Sequence, residues 1–466
     1  MRQWRQRAPF IVERAEEFEL IDAQGARLID GVSSLWCNVH GHCAPEIDRA
    51  IRAQLDRVAH STLLGLSASP AIQLAAELVR IANAVEPERP SGKLEQVFLS
   101  DAGATATEAA FKMAIGAHFH RGAAQRNTFI ALSGGYHGDT VGAMSVGFIR
   151  AMHAPFEPLT FQCVRVQAPD PRHVSASLAS DPNDWPTWDE RRCALAKRDA
   201  LNALDRALDD HGDHIAAMVI EPVMQGAAGM VAQPAGYLSG AAHRVRDAGA
   251  WLIADEVATG FARTGAMFAC EHERVRPDIL CLAKGLSGGY LPIAATLATR
   301  EISESFEGDV SERKTLYHGH TFTGNALACA ASRASLDLLE RNNIVARSRA
   351  ISDRICAALR AALATHPHVG DVRNSGVMTG VELVAQRNPW TYFPTAVAAA
   401  PRVCDEARQR GLFIRPIGDT VIVNPAPAMD DATLDRALAS LIDAINAVDY
   451  TKNAPDALSS TPAGAS

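Results

Sequence analysis

The chain has 466 residues, 47% hydrophobic and 21% charged, an ordinary globular composition with apolar material for more than one core. A formal charge of −8 argues against a general nucleic-acid binder, which would need a basic face, and leaves room for local basic pockets. Met1 to Arg7 carries three arginines but no apolar segment follows, and no run of about 18 apolar residues occurs, so neither a signal peptide nor a membrane span is expected. Nine cysteines without a Cys-x-x-Cys pair, in a chain too long to need staples, read as reduced thiols in a cytoplasmic protein.

In chain order, residues 1–70 read as an N-terminal arm and part of a small domain. Glu17 to Asp30 predicts a hairpin turning at Gln24-Gly25. Cys37, His40, His42 and Cys43 imitate a metal site, but zinc ligands come as two spaced pairs and no second pair follows, so a loop near a substrate is expected and no metal. Residues 71–82 have helical spacing, Pro87 to Gly92 is a loop, and from about 95 to 300 strand-like runs alternate with helix-like ones, the pattern of a parallel α/β sheet within a large domain, 71–325. Within it, the polar stretch 169–200 reads as an ordered insertion or surface loop without assigned chemistry. A helical run from Ala326 to Leu339 leads into a C-terminal small domain, 326–450, with a strand inside Gly376 to Val384. The Ser-, Ala- and Pro-rich residues 451–466 are expected to be disordered.

Five strand ends converge on one kind of chemistry. Gln96 to Ser100 leads into Asp101-Ala-Gly103-Ala104 and a helix from about Thr105 to Ala117, and Asn127 to Leu132 leads into two glycines, Tyr136 and His137. Ala217 to Ile220 ends at Glu221-Pro222. Trp251 to Asp255 and Asp278 to Lys284 are apolar runs without helical period, the signature of strands buried on both faces. Open parallel sheets bind ligands at the carboxyl ends of their strands, so Asp255 and Lys284 stand at the mouth of one crevice.

A desolvated lysine beside a buried aspartate suits aldimine chemistry on pyridoxal 5′-phosphate; the alternative is a structural ion pair. In the first reading Lys284 carries the cofactor and shuttles the substrate proton, while Asp255 keeps the pyridine nitrogen charged. The N–H groups at Gly103 and Ala104 would cradle the phosphate, although most glycines before a helix bind nothing. Tyr136 would stack on the pyridine ring or simply pack. Glu221 either contacts the cofactor or an arginine, or closes a structural turn. Arg415 suits a substrate carboxylate, with Arg263 as the substitute and a surface ion pair as the other reading.

These residues resemble the class III, or omega, aminotransferases from about residue 17 to 430. The most specific segments are Leu252 to Gly265, Ala283 to Pro292 and His318 to Asn325. The resemblance implies an α/β type I pyridoxal-phosphate fold, a large domain with a mostly parallel sheet plus a small domain built from the N- and C-terminal segments. It implies pyridoxal 5′-phosphate as cofactor and a homodimer with shared active sites, in which Thr321, with His320 before it, would reach the phosphate of the neighbouring subunit's cofactor. Gly319, Phe10, Leu35, Trp36 and Tyr136 would border the substrate, and Arg415 would bind the acceptor's carboxylate.

Within the family, Gly31 to His42, His60 to Gly65 and Gly135 to Thr140 look most like members that aminate 8-amino-7-oxononanoate in biotin synthesis. Those members imply S-adenosylmethionine as the donor and a ping-pong mechanism. Leu35 where a second tryptophan is common, His320 where proline is common and Ala102 where serine is usual are departures; members with Leu-Trp include lysine users. Another omega-aminotransferase acting on a diamine or ω-amino acid, or a binding protein retaining the fold, are the rival readings.

Overall fold

The computed structural model describes residues 9–89, 91–181 and 184–453. The basic segment Met1 to Arg7 and, from 454 onward, the tail expected to be disordered lie outside the described residues. The chain opens with β1 (Val12–Glu16), β2 (Glu19–Asp22) and β3 (Arg27–Asp30). β2 and β3 form the predicted hairpin, with Leu20 opposite Leu28. Helices α1 (Pro45–Leu55) and α2 (Ser69–Ala82) follow, each with proline in its first turn, where the missing N–H costs nothing.

The large sheet comprises β4 (Leu94–Ser100), β5 (Thr128–Leu132), β6 (Val164–Val166), β7 (Ile215–Ile220), β10 (Trp251–Asp255), β11 (Ile279–Leu282) and β12 (Ala294–Thr299), after a short ribbon β8 (Met224–Gln225) and β9 (Val231–Ala232) has left the end of β7. Its order is β4-β12-β11-β10-β7-β5-β6. β12 runs antiparallel to both its neighbours, and the other six strands run one way. Every residue of β7, β11 and β12 is buried, as continuous apolar runs require when helices cover both faces. Those helices include α3 (Gly103–His120), α4 (Glu190–His211) and α5 (Tyr237–Asp247).

After the sheet come α6 (Ala326–Arg341), α7 (Ile344–Leu363), β13 (Val369–Ser375), β14 (Met378–Leu383), α8 (Ala399–Gln409), β15 (Leu412–Phe413), β16 (Arg415–Ile417), β17 (Thr420–Val423) and α9 (Asp431–Ala447). β13-β14-β17-β16 form an antiparallel sheet, while β15 pairs parallel with β3 and so ties the two ends of the chain together. Helix α6 inserts Cys329, Leu336 and Leu339 into the core of the large sheet, so packing puts the start of the small domain after this helix rather than at 326. The small-domain core joins Ile29 and Val32 to Ile351, Val372, Val381, Leu412 and Leu441.

The 169–200 stretch divides in two. Asp189 caps α4 by accepting from the Arg192 N–H (2.7 Å), so residues from Glu190 onward are helix rather than loop. The remainder straps the small domain: Arg172 pairs with Asp170 (2.6 Å) and Glu382 (2.8 Å), and Thr187 Oγ1 donates to Asp371 (2.8 Å). Among the described residues no helix is long and apolar enough to cross a membrane.

Candidate active site

Strand register brings the charges together. Ala254 lies opposite Ile220 and Asp255 opposite Cys281, so Glu221 and Asp255 emerge side by side and Lys284 follows one turn beyond β11. They line a cavity of about 730 Å³ with Trp36, Asp101 to Ala104, Tyr136 to Thr140, Ser287 and Gly289 to Ile293. This is the carboxyl edge of the parallel strands, where the sequence pattern puts it.

Asp255 is 3% exposed. One oxygen accepts from the Val257 N–H (3.1 Å) and the other from His137 Nδ1 (2.8 Å). Burial pulls the His137 pKa down, but the hydrogen bond and charge of Asp255, then the charge of Glu221, outweigh it, and the net direction is up. The Asp255 neighbour thus favours the protonated form of the His137 ring. The Thr107 hydroxyl, bonded to the carbonyls of Ala104 and His137 (2.9 Å each), fastens this loop to α3.

Lys284 sits at φ +45°, left-handed backbone that a non-glycine residue adopts at a cost of about 1–3 kcal/mol. Burial lowers its pKa against the opposing charges of Asp255 and Glu221. Its ammonium lies 5.0 Å from the centroid of the Trp36 indole, which itself leaves a left-handed turn. Glu221 is buried, accepts from the N–H groups of Tyr136 (3.0 Å) and Gly226 (2.9 Å), and is pushed up to about 7, first by desolvation. It has no arginine partner among the described residues; it anchors the Tyr136 and Gly226 backbone and lines the cavity.

At the start of α3, Thr105 Oγ1 accepts from the Ala102 N–H (2.9 Å), while the N–H groups of Gly103 and Ala104 have no partner among the described residues. Gly103 is required by contact: a Cβ there would lie 2.6 Å from Val257 Cγ1. Two free donors, a helix dipole and a buried carboxylate at the other side of the cavity fit the phosphate and ring nitrogen of pyridoxal phosphate. Tyr136 stacks on His153 at 6.1 Å and lines the cavity with its remaining surface.

Six residues named from the resemblance do not border this cavity in the single chain. Leu35 is 55% exposed because the backbone turns outward at Ser34 and Leu35. Arg415 stands exposed on the edge strand β16, and Phe10 lies half-buried ahead of β1. Gly319 and Thr321 are exposed, and His320 Nδ1 is 2.8 Å from Asp101 Oδ2 without hydrogen-bond alignment.

Arg263 is a correction. Completely buried, it donates to Ser33 Oγ (2.9 Å), Asn38 O (2.7 Å), Asn424 Oδ1 (3.3 Å) and Pro425 O (3.0 Å), so its guanidinium joins the two domains and has no room for a substrate carboxylate. In the Cys37–Cys43 segment, His40 bonds to Ser335 (3.0 Å) and His42 to Asp30 (3.0 Å). No cluster of three or more metal-ligating side chains occurs among the described residues. Two residues that hold the site together escaped the sequence reading: His137, whose only signal was its place after Tyr136, and Glu256, which accepts from Thr259 Oγ1 (2.6 Å) and the N–H groups of Ala269 (2.9 Å) and Cys270 (2.8 Å) and so shapes the loop after β10.

The family model described as Aminotransferase class-III matches residues 1–445. Adenosylmethionine-8-amino-7-oxononanoate aminotransferase of Nitratidesulfovibrio vulgaris is 46% identical over 452 residues, covering 96% of this chain and 79% of that protein. The protein of that name from Geobacter sulfurreducens is 41% identical, covering 96% and 94%. The crystal structure of the Methanocaldococcus jannaschii protein of the same name superposes with a TM-score of 0.86 at 38% identity, covering 96% and 95%. An amine transaminase from an uncultivated Pseudomonas species, solved with pyridoxal phosphate bound, gives 0.86 at 30% identity, covering 95% and 96%.

Proposed function

The chain belongs to the class-III aminotransferases, pyridoxal 5′-phosphate enzymes of the type I fold, and from that premise we propose that it transfers an amino group to 8-amino-7-oxononanoate, giving 7,8-diaminononanoate in biotin synthesis. The observation that carries this reading is similarity over 96% of the chain, at 41–46% identity, to proteins of that named activity. S-adenosylmethionine is the donor we favour, and lysine is the alternative suggested by Leu35-Trp36.

When bound, the cofactor supplies an aldehyde that takes up an amine and a ring that accepts the electron pair left by a lost proton. Gly103 and Ala104 would hold its phosphate through backbone N–H groups. Asp255, backed by His137, would keep the ring nitrogen protonated. Lys284 would hold the aldehyde and then, once freed, move the proton at the substrate carbon; its lowered pKa suits a base of that kind. Tyr136 and Trp36 would wall the ring and the substrate. Donor and acceptor would use this cavity in turn, which makes the kinetics ping-pong.

We read the exposed Gly319, Thr321 and Phe322 (59% exposed), with Tyr317 (73%) and Leu64 (90%), as surface that a second copy covers, making a homodimer in which Thr321 serves the neighbouring cofactor. The unpaired cysteines suit the reducing cytoplasm. Purified enzyme given 8-amino-7-oxononanoate with S-adenosylmethionine or with lysine tests the assignment. Product with one donor and parallel initial-rate lines are expected. Turnover of α-ketoglutarate with an ω-amine, but none of 8-amino-7-oxononanoate, refutes it.

A further inference from the structure

The Trp36 indole packs against the small-domain core, and one edge of its ring rests on bare backbone. That backbone is Gly226, where a Cβ would lie 2.9 Å from Trp36 Cζ3 and 3.3 Å from Cη2, tighter than packed carbons tolerate. Gly226 opens the turn of the β8–β9 ribbon, and its carbonyl accepts from the N–H groups of both Gly229 (3.1 Å) and Met230 (3.0 Å), so the turn behaves as one body. On the cavity side the Gly226 N–H donates to Glu221 (2.9 Å).

From the far side the turn is gripped by Arg373 of β13, whose Nε donates to Met230 O (2.9 Å) and Nη2 to Gly229 O (2.6 Å). Arg373 is completely buried and is itself fixed by Asp371 (3.2 Å), Glu382 and Thr420 Oγ1 (3.1 Å). Arg172 of the strap shares Glu382 (2.8 Å). Met224 and Met230, although they follow a large-sheet strand, are packed in the small-domain core. The ribbon is thus a part of the small domain that reaches the wall of the cavity.

We propose that Gly226 and Arg373 decide which acceptors fit: Arg373 positions the 226–230 turn, and the bare backbone of Gly226 sets where the indole stands and hence the room left beside Lys284 for the aliphatic chain of a keto acid. Neither residue borders the cavity; each acts through Trp36. The inference rests on the transaminase reading of the cavity, not on the identity of the acceptor.

A double-mutant cycle on the holoenzyme tests it. Gly226 lies outside the left-handed region, so alanine suits its backbone, and the obstacle is the far end of a side chain that can swing. The indole must yield by about 0.5 Å to reach ordinary contact, and misplacements near 1 Å cost roughly a hundredfold where geometry matters. Gly226→Ala should therefore raise KM for the longest keto acid turned over by about tenfold, with kcat changed less than about twofold and the visible spectrum of the bound cofactor unaltered. In a Trp36→Phe background, which lacks the ring atoms lying on Gly226, the same change should move KM less than about twofold.

An unchanged KM, an equal rise in both backgrounds, a loss confined to kcat or a protein that fails to fold overturns the proposal. Arg373→Lys cannot span two carbonyls and two carboxylates, so it should raise KM in the same Trp36-dependent way. A folded, cofactor-loaded Arg373→Lys enzyme with wild-type KM refutes the positioning role. Should 8-amino-7-oxononanoate not react while the cycle behaves as described with another keto acid, the substrate assignment falls and this inference stands.

Discussion

Replacing His137 by phenylalanine keeps a planar aromatic ring, somewhat larger, and removes the side chain that donates to Asp255. Both partners are nearly inaccessible, at 1% and 4% side-chain exposure, and their atoms are 2.8 Å apart. Deleting one member of a buried charged pair costs about 3–5 kcal/mol. Asp255 keeps the Val257 N–H (3.1 Å), which argues for the lower end, about 3 kcal/mol.

The sign with pH follows from the raised pKa of His137. Its stabilisation is fully present below the unfolded histidine value near 6.5 and is lost as pH rises through the higher folded value. The deficit of the cofactor-free variant should therefore be larger at about pH 6 than at about pH 9. A bound pyridinium gives Asp255 another cation, so the holoenzyme should lose less than the cofactor-free protein. Without His137, Asp255 loses the hydrogen bond that holds its carboxyl group in place, and kcat should fall by roughly tenfold or more.

Urea unfolding of the large domain with and without cofactor at both pH values, alongside kcat, reads all of this. A cofactor-free deficit under about 1 kcal/mol, a deficit independent of pH, or an equal deficit in the holoenzyme would refute the reasoning.

Four further outcomes are expected. Glu221 is raised from 4.5 to about 7 by burial, so its contribution is present below 4.5 and lost as pH rises through about 7. Cofactor-free wild type should thereby lose about 3 kcal/mol across that window, and Glu221→Gln should flatten the slope in a parallel titration. Lys284→Ala should abolish turnover and the visible absorbance of the lysine-bound cofactor, and retention of either removes Lys284 from its role. Gly103→Ala, with its Cβ 2.6 Å from Val257, should weaken pyridoxal phosphate at least about tenfold in equilibrium titration, but phosphate-free pyridoxal much less. Arg172→Ala, which takes the guanidinium from buried Asp170 while Glu382 keeps Arg373 and Thr420, should destabilise the small domain by about 3 kcal/mol without changing cofactor affinity; a loss of affinity equal to that at Gly103 would contradict the strap assignment.

How much was legible depends on how each residue is held. Asp255 and Lys284 could be read because a fully buried strand leaves a continuous apolar run, and a charge at the end of such a run is conspicuous. Tyr136 could be read from the glycines before it. His137 could not, since its meaning lies in Asp255, 118 residues away on another strand, and a single histidine in a loop points nowhere by itself. The strap was opaque for the same reason: Arg172 meets Glu382 across 210 residues. Arg263 was misjudged because its neighbours in sequence suggest a loop, whereas its partners Ser33, Asn38 and Asn424 come from both ends of the chain.

The two kinds of information differ in physical origin. An electron sink is assembled from buried charges, and charges are so rarely buried without a partner that each leaves a mark in composition and pattern. A substrate wall is assembled from clearance: 2.9 Å between an absent Cβ and an indole, a turn held by two carbonyls, an arginine on a different sheet. Clearance has no residue-type signature, because the glycine that provides it is indistinguishable in sequence from a glycine that only turns the chain. Homologues sharing Asp255 and Lys284 can therefore run one chemistry on different acceptors. For this chain the discriminating positions would then be found by following contacts outward from Trp36, through Gly226 to Arg373, rather than by lining up the residues that face the cavity.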